Sequence, residues 1–142
     1  MFCREAMTEN PVCCLPNDLV GASARVMRRE DVDAVPVIND EQQKQLIGIV
    51  TDRDLAIKVV AEARDPNHTL VQDIMTSTIV VCRECEDLSS AMKAMEEHQI
   101  RRVPVIDDDG RVVGIISQAD LATRLHEPRQ TPKMLEEISQ AA

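Results

Sequence analysis

The chain has a single phenylalanine and neither tryptophan nor tyrosine. Without aromatic rings it has no platform on which unpaired bases could stack. Positive charge is also scarce: 16 lysines and arginines against 25 aspartates and glutamates leave a net charge of −9. Such a chain repels phosphodiester backbones unless it carries a basic face, and the sequence shows none. No apolar run approaches the ~20 residues of a membrane-spanning helix, and the opening MFCREAMTEN lacks the hydrophobic stretch of a secretion signal. These absences lead to the expectation of a cytoplasmic chain with no nucleic-acid and no membrane partner. The five cysteines (Cys3, Cys13, Cys14, Cys82, Cys85) are odd in number and come without a secretory signal, so no disulfide framework is expected.

What the chain does have is a duplication. AMTENPVCCLPNDLVGASARVMRREDVDAVPVINDEQQKQLIGIVTDRDL is echoed by IMTSTIVVCRECEDLSSAMKAMEEHQIRRVPVIDDDGRVVGIISQADL. Met7 maps to Met75 and Pro36 to Pro104 at a spacing of 68, whereas Gly48 maps to Gly114 and Asp54 to Asp120 at 66. The two lost residues fall between Ile106 and Val112, where a hairpin loop absorbs them. A repeat this short cannot bury a core alone, so two copies imply one body with pseudo-twofold symmetry and two equivalent clefts.

Each copy reads as β-α-β-β-α. In the first, Val12–Leu15 is a short strand, and Asn17 or Asp18 caps a helix to about Glu30 with Val20, Ala24 and Met27 on one face. Val35–Ile38 is a buried strand, with Pro36 placed where a ladder donor is dispensable. The polar run Asn39–Gln45 turns back into strand Leu46–Val50, and Thr51 starts a helix to about Ala63. In the second copy the counterparts are Ile79–Cys82, Asp87–His98, Val103–Ile106, a turn over Asp107–Gly110, Val112–Ile116 and a helix from Ser117. The runs IGIV and VGII are apolar on both faces, which predicts strands covered on both sides. The expected fold is therefore α/β (α+β), with two repeats packed through their sheets. The divisions are 5–64, a 65–73 linker, 74–126, and a 127–142 tail in which Met134, Leu135 and Ile138 fall at helical spacing.

The sharpest chemical feature is also doubled. Gly48-Ile-Val-Thr51-Asp-Arg-Asp54 and Gly114-Ile-Ile-Ser117-Gln-Ala-Asp120 each put a hydroxyl residue at a strand-to-helix junction and a carboxylate three residues on. One reading is a capping box, in which side chain and amide bond reciprocally, although Glu or Gln is the usual third residue. The other is a nucleotide cleft. A helix start offers unpaired N–H groups to a phosphate, and an ionised Asp can accept both hydroxyls of a ribose. Arg101 and Arg102 precede the second VPVI strand, where the first copy has Asp33 and Ala34. An arginine pair suits a phosphate, so the two clefts are expected to differ in phosphate affinity.

The paired G-h-h-[ST]-x-x-D ends, the paired VPVI strands and the two Met-Thr starts resemble a tandem cystathionine-β-synthase (CBS) domain pair, or Bateman module, over roughly residues 5–125. TDRDLAIKVV…RDPN and MEEHQIRRVPVI are similar to small stand-alone bacterial two-CBS proteins of the hypoxic-response type. The resemblance implies a homodimer that binds an adenosyl ligand (AMP, ADP or ATP, or NAD or S-adenosylmethionine) between repeats, acts as a metabolite or energy sensor for an unidentified protein partner, and has no catalysis of its own. It implies no obligatory cofactor and no metal. It places one ligand cleft at Thr51, Asp54, Thr76, Ile79, Val80, Ile100 and Arg101. The other falls at Ser117, Asp120, Thr8, Pro11, Val12, Val32, Asp33 and Arg102. Asp33 stands where a polar or basic residue would help hold phosphate, so the Asp120 cleft draws on Arg101 or Arg102 or stays empty.

Other constellations carry less. Cys82-Arg-Glu-Cys85 is a lone C-x-x-C, and a zinc site needs two further ligands. Cys14 and Cys82 fall at equivalent strand positions, as buried small side chains would. A thiol switch using Cys13/Cys14 or Cys82/Cys85 is the alternative function, and a structural dimer without ligand is a third. His68, His98 and His126 follow no ligand or triad spacing.

Overall fold

A computed structural model of the chain describes residues 1–124. The tail expected at 127–142, its helical spacing over 134–138 and His126 lie outside the described residues.

The elements in chain order are helix α1 (Cys3–Ala6), strand β1 (Thr8–Glu9), α2 (Val20–Glu30), β2 (Ala34–Ile38), β3 (Leu46–Thr51), α3 (Asp52–Asp54), α4 (Val71–Ile74), β4 (Cys82–Arg83), α5 (Leu88–His98), β5 (Arg102–Ile106), β6 (Val112–Ser117) and α6 (Gln118–Arg124). A π-helical segment, Leu55–Val60, continues α3. These fall into two compact units that do not follow the sequence repeats. One is Met1–Pro11 together with the chain from Val80 onward; the other is Val12–Ile79. Each unit thus takes the body of one repeat and the opening segment of the other.

In the unit carrying the second repeat the sheet order is β1-β6-β5-β4, with β4 parallel to β5 and the other pairings antiparallel. The other unit has only β2 and β3 as full strands. Its outer positions shrink to single bridges, Cys14 beside Val37 and Thr76 beside Ile49. Thr76 and Ile49 exchange both amide bonds at 2.9 Å. The expected strands Val12–Leu15 and Ile79–Cys82 are therefore reduced to the Cys14 bridge and to Cys82–Arg83. Pro36 sits buried in β2, where the Cys14 bridge uses its carbonyl and the Ile38 amide, so the missing proline N–H is not needed.

Each unit has its own apolar core, with Val35, Val50 and Ile74 in one and Val103, Ile116 and Leu121 in the other. Burying each such side chain is worth about 1.5–3 kcal/mol. Strand β6 is buried along most of its length, as its apolar run predicts, but β3 is fully buried only at Gly48 and Val50.

Neither Asn17 nor Asp18 caps α2. Its first residue follows Leu19, and the Val20 and Gly21 amides are met by the carbonyls of Thr69 (2.9 Å) and Pro66 (3.0 Å). The 64–70 connection thus does a side chain's work. Asp18 instead closes a turn onto the Leu15 amide at 2.9 Å. The buried face of α2 is Val20, Ser23 and Met27, with Ala24 outward. In α5 the expectation holds, because Asp87 accepts from the Ser89 amide. Both long helices end on a left-handed residue that is not glycine, Asp31 (φ 54°) and Gln99 (φ 52°). The helix from Thr51 does not run on as an α-helix to Ala63. From Leu55 its hydrogen bonds step back five residues, as in Ala61 N–H to Ala56 C=O and Arg64 N–H to Val59 C=O, both 2.9 Å.

Candidate functional site

The two hydroxyl-and-acid junctions form in the same way. Thr51 ends β3 in an extended conformation and α3 begins at the next residue. Its amide donates to Asp54 Oδ2 at 3.0 Å, and its Oγ1 accepts from the Asp54 amide at 3.1 Å. At the end of β6 the Ser117 amide donates to Asp120 Oδ2 at 3.1 Å and Ser117 Oγ accepts from the Asp120 amide at 3.0 Å. A capping box is thus present, with Asp in the place usual for Glu or Gln. It engages one carboxylate oxygen of each acid.

The second oxygen of Asp54 is engaged as well. Asp54 Oδ1 receives Lys58 Nζ at 3.0 Å and the Thr76 hydroxyl at 3.3 Å. Lys58 also donates to the Ile74 carbonyl at 3.0 Å. The Asp54 side chain is only 10% exposed, so the lysine serves as counter-ion to a carboxylate largely removed from water. Asp120 is half-buried. Thr8, the counterpart of Thr76, is held in β1 opposite Ile115.

The helix starts are less open to phosphate than the sequence suggests. The Asp52 amide is taken by the Asp33 carbonyl at 2.9 Å, the Arg53 amide by Asp52 Oδ1 at 2.8 Å and the Asp54 amide by Thr51. At the second site the Gln118 amide is taken by the Arg101 carbonyl at 2.8 Å. Phosphate would therefore depend on side chains. Arg102 stands directly across the β5–β6 ladder from Ser117, a separation of about 5 Å between β-carbons in such pairs. Its counterpart opposite Thr51 is Ala34.

Of the expected site residues, one unit brings together Thr51, Asp54 and Thr76, with the Asp33 carbonyl beside them and Ile79 at its boundary. The other brings together Ser117, Asp120 and Arg102, with the Arg101 carbonyl. Thr8 is on the neighbouring strand and Pro11 and Ile100 are in the same unit. Val80 belongs with that unit, and Val12 and Val32 with the first. Sequence reading missed Lys58, whose signal was its spacing of four from Asp54 on a helix.

The Met-Thr starts also have a structural role. A β-carbon on Gly48 would come within 2.5 Å of Met75 Sδ, and one on Gly114 would collide with Met7 Sδ. The glycine before each hydroxyl-and-acid motif thus admits the methionine that opens the other repeat. Apposed in this way, each Met-Thr segment delivers its threonine to the edge of the strand that ends at the candidate site.

Burial pushes the Cys13 thiol up to about 11 and the Cys14 thiol up to about 12, which leaves both protonated at neutral pH. Cys82 is buried in β4, while Cys85 is exposed with Arg4 donating to its sulfur at 3.4 Å. Among the described residues no three His, Cys, Asp or Glu side chains group to hold a metal ion.

Two units of this construction, each ending a strand on a hydroxyl-and-acid turn, are the plan of a CBS-domain pair. The CBS domain family model matches residues 3–61 and 71–127, and the chain belongs to that family. It is 36% identical over 124 residues to hypoxic response protein 1 of Mycobacterium tuberculosis, covering 87% of this chain and 85% of that protein. A crystal structure of hypoxic response protein I with two coordinated zinc ions superposes with a TM-score of 0.79 at 34% identity, over 90% of this chain and 100% of that one. The CBS domain pair of protein MJ0100, in complex with 5-methylthioadenosine and S-adenosyl-L-methionine, gives 0.76 at 26% identity, over 87% and 94%. CBSX2 in complex with AMP gives 0.74 at 26%, over the same shares.

Proposed function

We propose that the chain is a non-catalytic sensor of an adenosyl nucleotide, bound at the Ser117–Asp120 site and more weakly at the Thr51–Asp54 site. The observation that carries this reading is the Ser117–Asp120 turn itself, which sets a carboxylate at the end of β6 with Arg102 across the ladder from Ser117. A carboxylate oxygen so placed accepts the vicinal hydroxyls of a ribose, and a guanidinium nearby takes an attached phosphate. At the other site a ribose must displace Lys58 from Asp54, and Ala34 offers nothing to a phosphate. Structural neighbours with AMP and with S-adenosyl-L-methionine bound support the ligand class. The same reading takes the chain as a cytoplasmic homodimer that reports ligand to a protein partner. Exposed Ile57 and Val60 in the Leu55–Val60 segment support self-association, and no helix among the described residues is long and apolar enough to cross a membrane.

The test is a thermal-shift screen against AMP, ADP, ATP, NAD and S-adenosylmethionine. Ligand at 100 times its Kd stabilises by about 2.7 kcal/mol. The reading requires a shift with at least one ligand that is lost in Asp120→Ala; no shift with any of the five contradicts it.

A further inference from the structure

The two long helices keep their buried face through the duplication and reverse the charge of their last turn. At the spacing of 68, Val20 corresponds to Leu88 and Met27 to Met95, apolar and buried in both copies. Arg28 and Arg29 correspond instead to Glu96 and Glu97, and all four side chains are exposed. The basic pair ends α2, where the negative end of the helix dipole favours cations, and Arg25 extends the same face by one turn. The acidic pair ends α5, where that dipole disfavours it, with Lys93 Nζ 3.8 Å from Glu97 as a partial counter-charge. A local preference broken at exposed positions points to a contact that compensates for it. We propose that the chain self-associates by laying the basic end of α2 in one copy against the acidic end of α5 in another.

Here the charges select the faces rather than supply the affinity. Exposed ion pairs add little, whereas like charges brought face to face are strongly disfavoured. An α2–α2 contact would set Arg25, Arg28 and Arg29 against themselves, and an α5–α5 contact would do the same with Glu96 and Glu97. Opposite charges meet when α2 of one copy faces α5 of the other, and every copy carries one face of each sign. Apolar contact comes from the residues one turn earlier on the same faces, Ala24, which is exposed, and Met92, which is half-buried. The pairing rests on the self-association proposed above and specifies its surfaces; it is independent of the nucleotide.

Sedimentation equilibrium of the full chain tests it, on wild type, Arg28→Glu/Arg29→Glu, Glu96→Arg/Glu97→Arg and the chain with all four changes. Each double variant is expected to raise the dimer Kd by about tenfold or more at low salt, and the combined variant to return it close to wild type. An equimolar mixture of the two double variants should associate as wild type does, because each then meets its complement. The wild-type dimer should also weaken as salt rises, a readout that stands even if a reversed chain fails to fold. A wild-type chain that stays monomeric overturns the self-association reading and the pairing with it. A dimer indifferent to salt, or to both double variants, overturns the pairing alone. So does Arg28→Glu/Arg29→Glu binding wild type more tightly than it binds Glu96→Arg/Glu97→Arg, which would place α2 against α2.

Discussion

Met75 Sδ occupies the space that a β-carbon at position 48 would need, 2.5 Å away, so Gly48 is the only residue that admits it. The glycine and the methionine come from different sequence repeats yet pack within one unit. Met7 and Gly114 repeat the relationship. The duplication is therefore read in space by exchanging opening segments, and each unit contains a contact that neither repeat could make alone.

Gly48→Ala is expected to destabilise its unit by about 1–3 kcal/mol, the cost of forcing a methyl group into a filled space. Met75→Ala in the same chain should recover part of that loss. A double-mutant cycle by urea denaturation measures it, with a coupling of about 1 kcal/mol or more expected. Simple additivity would show that the two residues do not share the space.

The left-handed helix ends offer the opposite sign. Gln99→Gly should stabilise by about 0.5–1 kcal/mol, because a residue with a β-carbon is strained at φ 52°. Asp31→Gly should gain less, since aspartate tolerates that region. Midpoints of denaturant unfolding rank the two, and a loss of stability in Gln99→Gly would refute the assignment.

Acid stability should depend on Asp87. The Ser89 amide bonded to its carboxylate holds its pKa below the ordinary 3.8. A folded pKa depressed in this way adds stability above 3.8 that disappears as pH falls through the lower folded value. The wild type should exceed Asp87→Ala at pH 6, and the gap should close as the pH is taken below 3.8 in a series of urea titrations. A gap that widens on acidification would contradict the capping role.

Lys58→Met should cost about 1–3 kcal/mol, because the lysine is half-exposed but the Asp54 carboxylate it neutralises is only 10% exposed and keeps just the Thr51 amide and the Thr76 hydroxyl. It should tighten nucleotide binding at the first site by releasing Asp54 Oδ1. Calorimetric titration in an Asp120→Ala background isolates that site, and weaker binding would show instead that Lys58 contributes to holding the ligand.

The β-α-β-β-α order, the strands around Pro36 and Pro104 and both acids could be read from the sequence, since period and repeat spacing report burial directly. The rest could not. The caps of α2 are carbonyls of Thr69 and Pro66, and backbone groups leave no mark on side-chain identity. For the same reason the sequence made the helix starts look open, when the Asp33 and Arg101 carbonyls already fill them. Nor does the helical spacing of Leu55–Val60 reveal that this segment is π-helical.

The most direct test is calorimetric titration of AMP into the wild-type chain and into Asp120→Asn, which keeps the side chain's shape but removes its charge. Hydrogen bonds to a charged acceptor are worth about 1.5–3 kcal/mol, so affinity should fall about 10- to 100-fold while the melting midpoint without ligand stays close to wild type. Equal affinity in the two proteins would mean that the carboxylate does not hold the ribose.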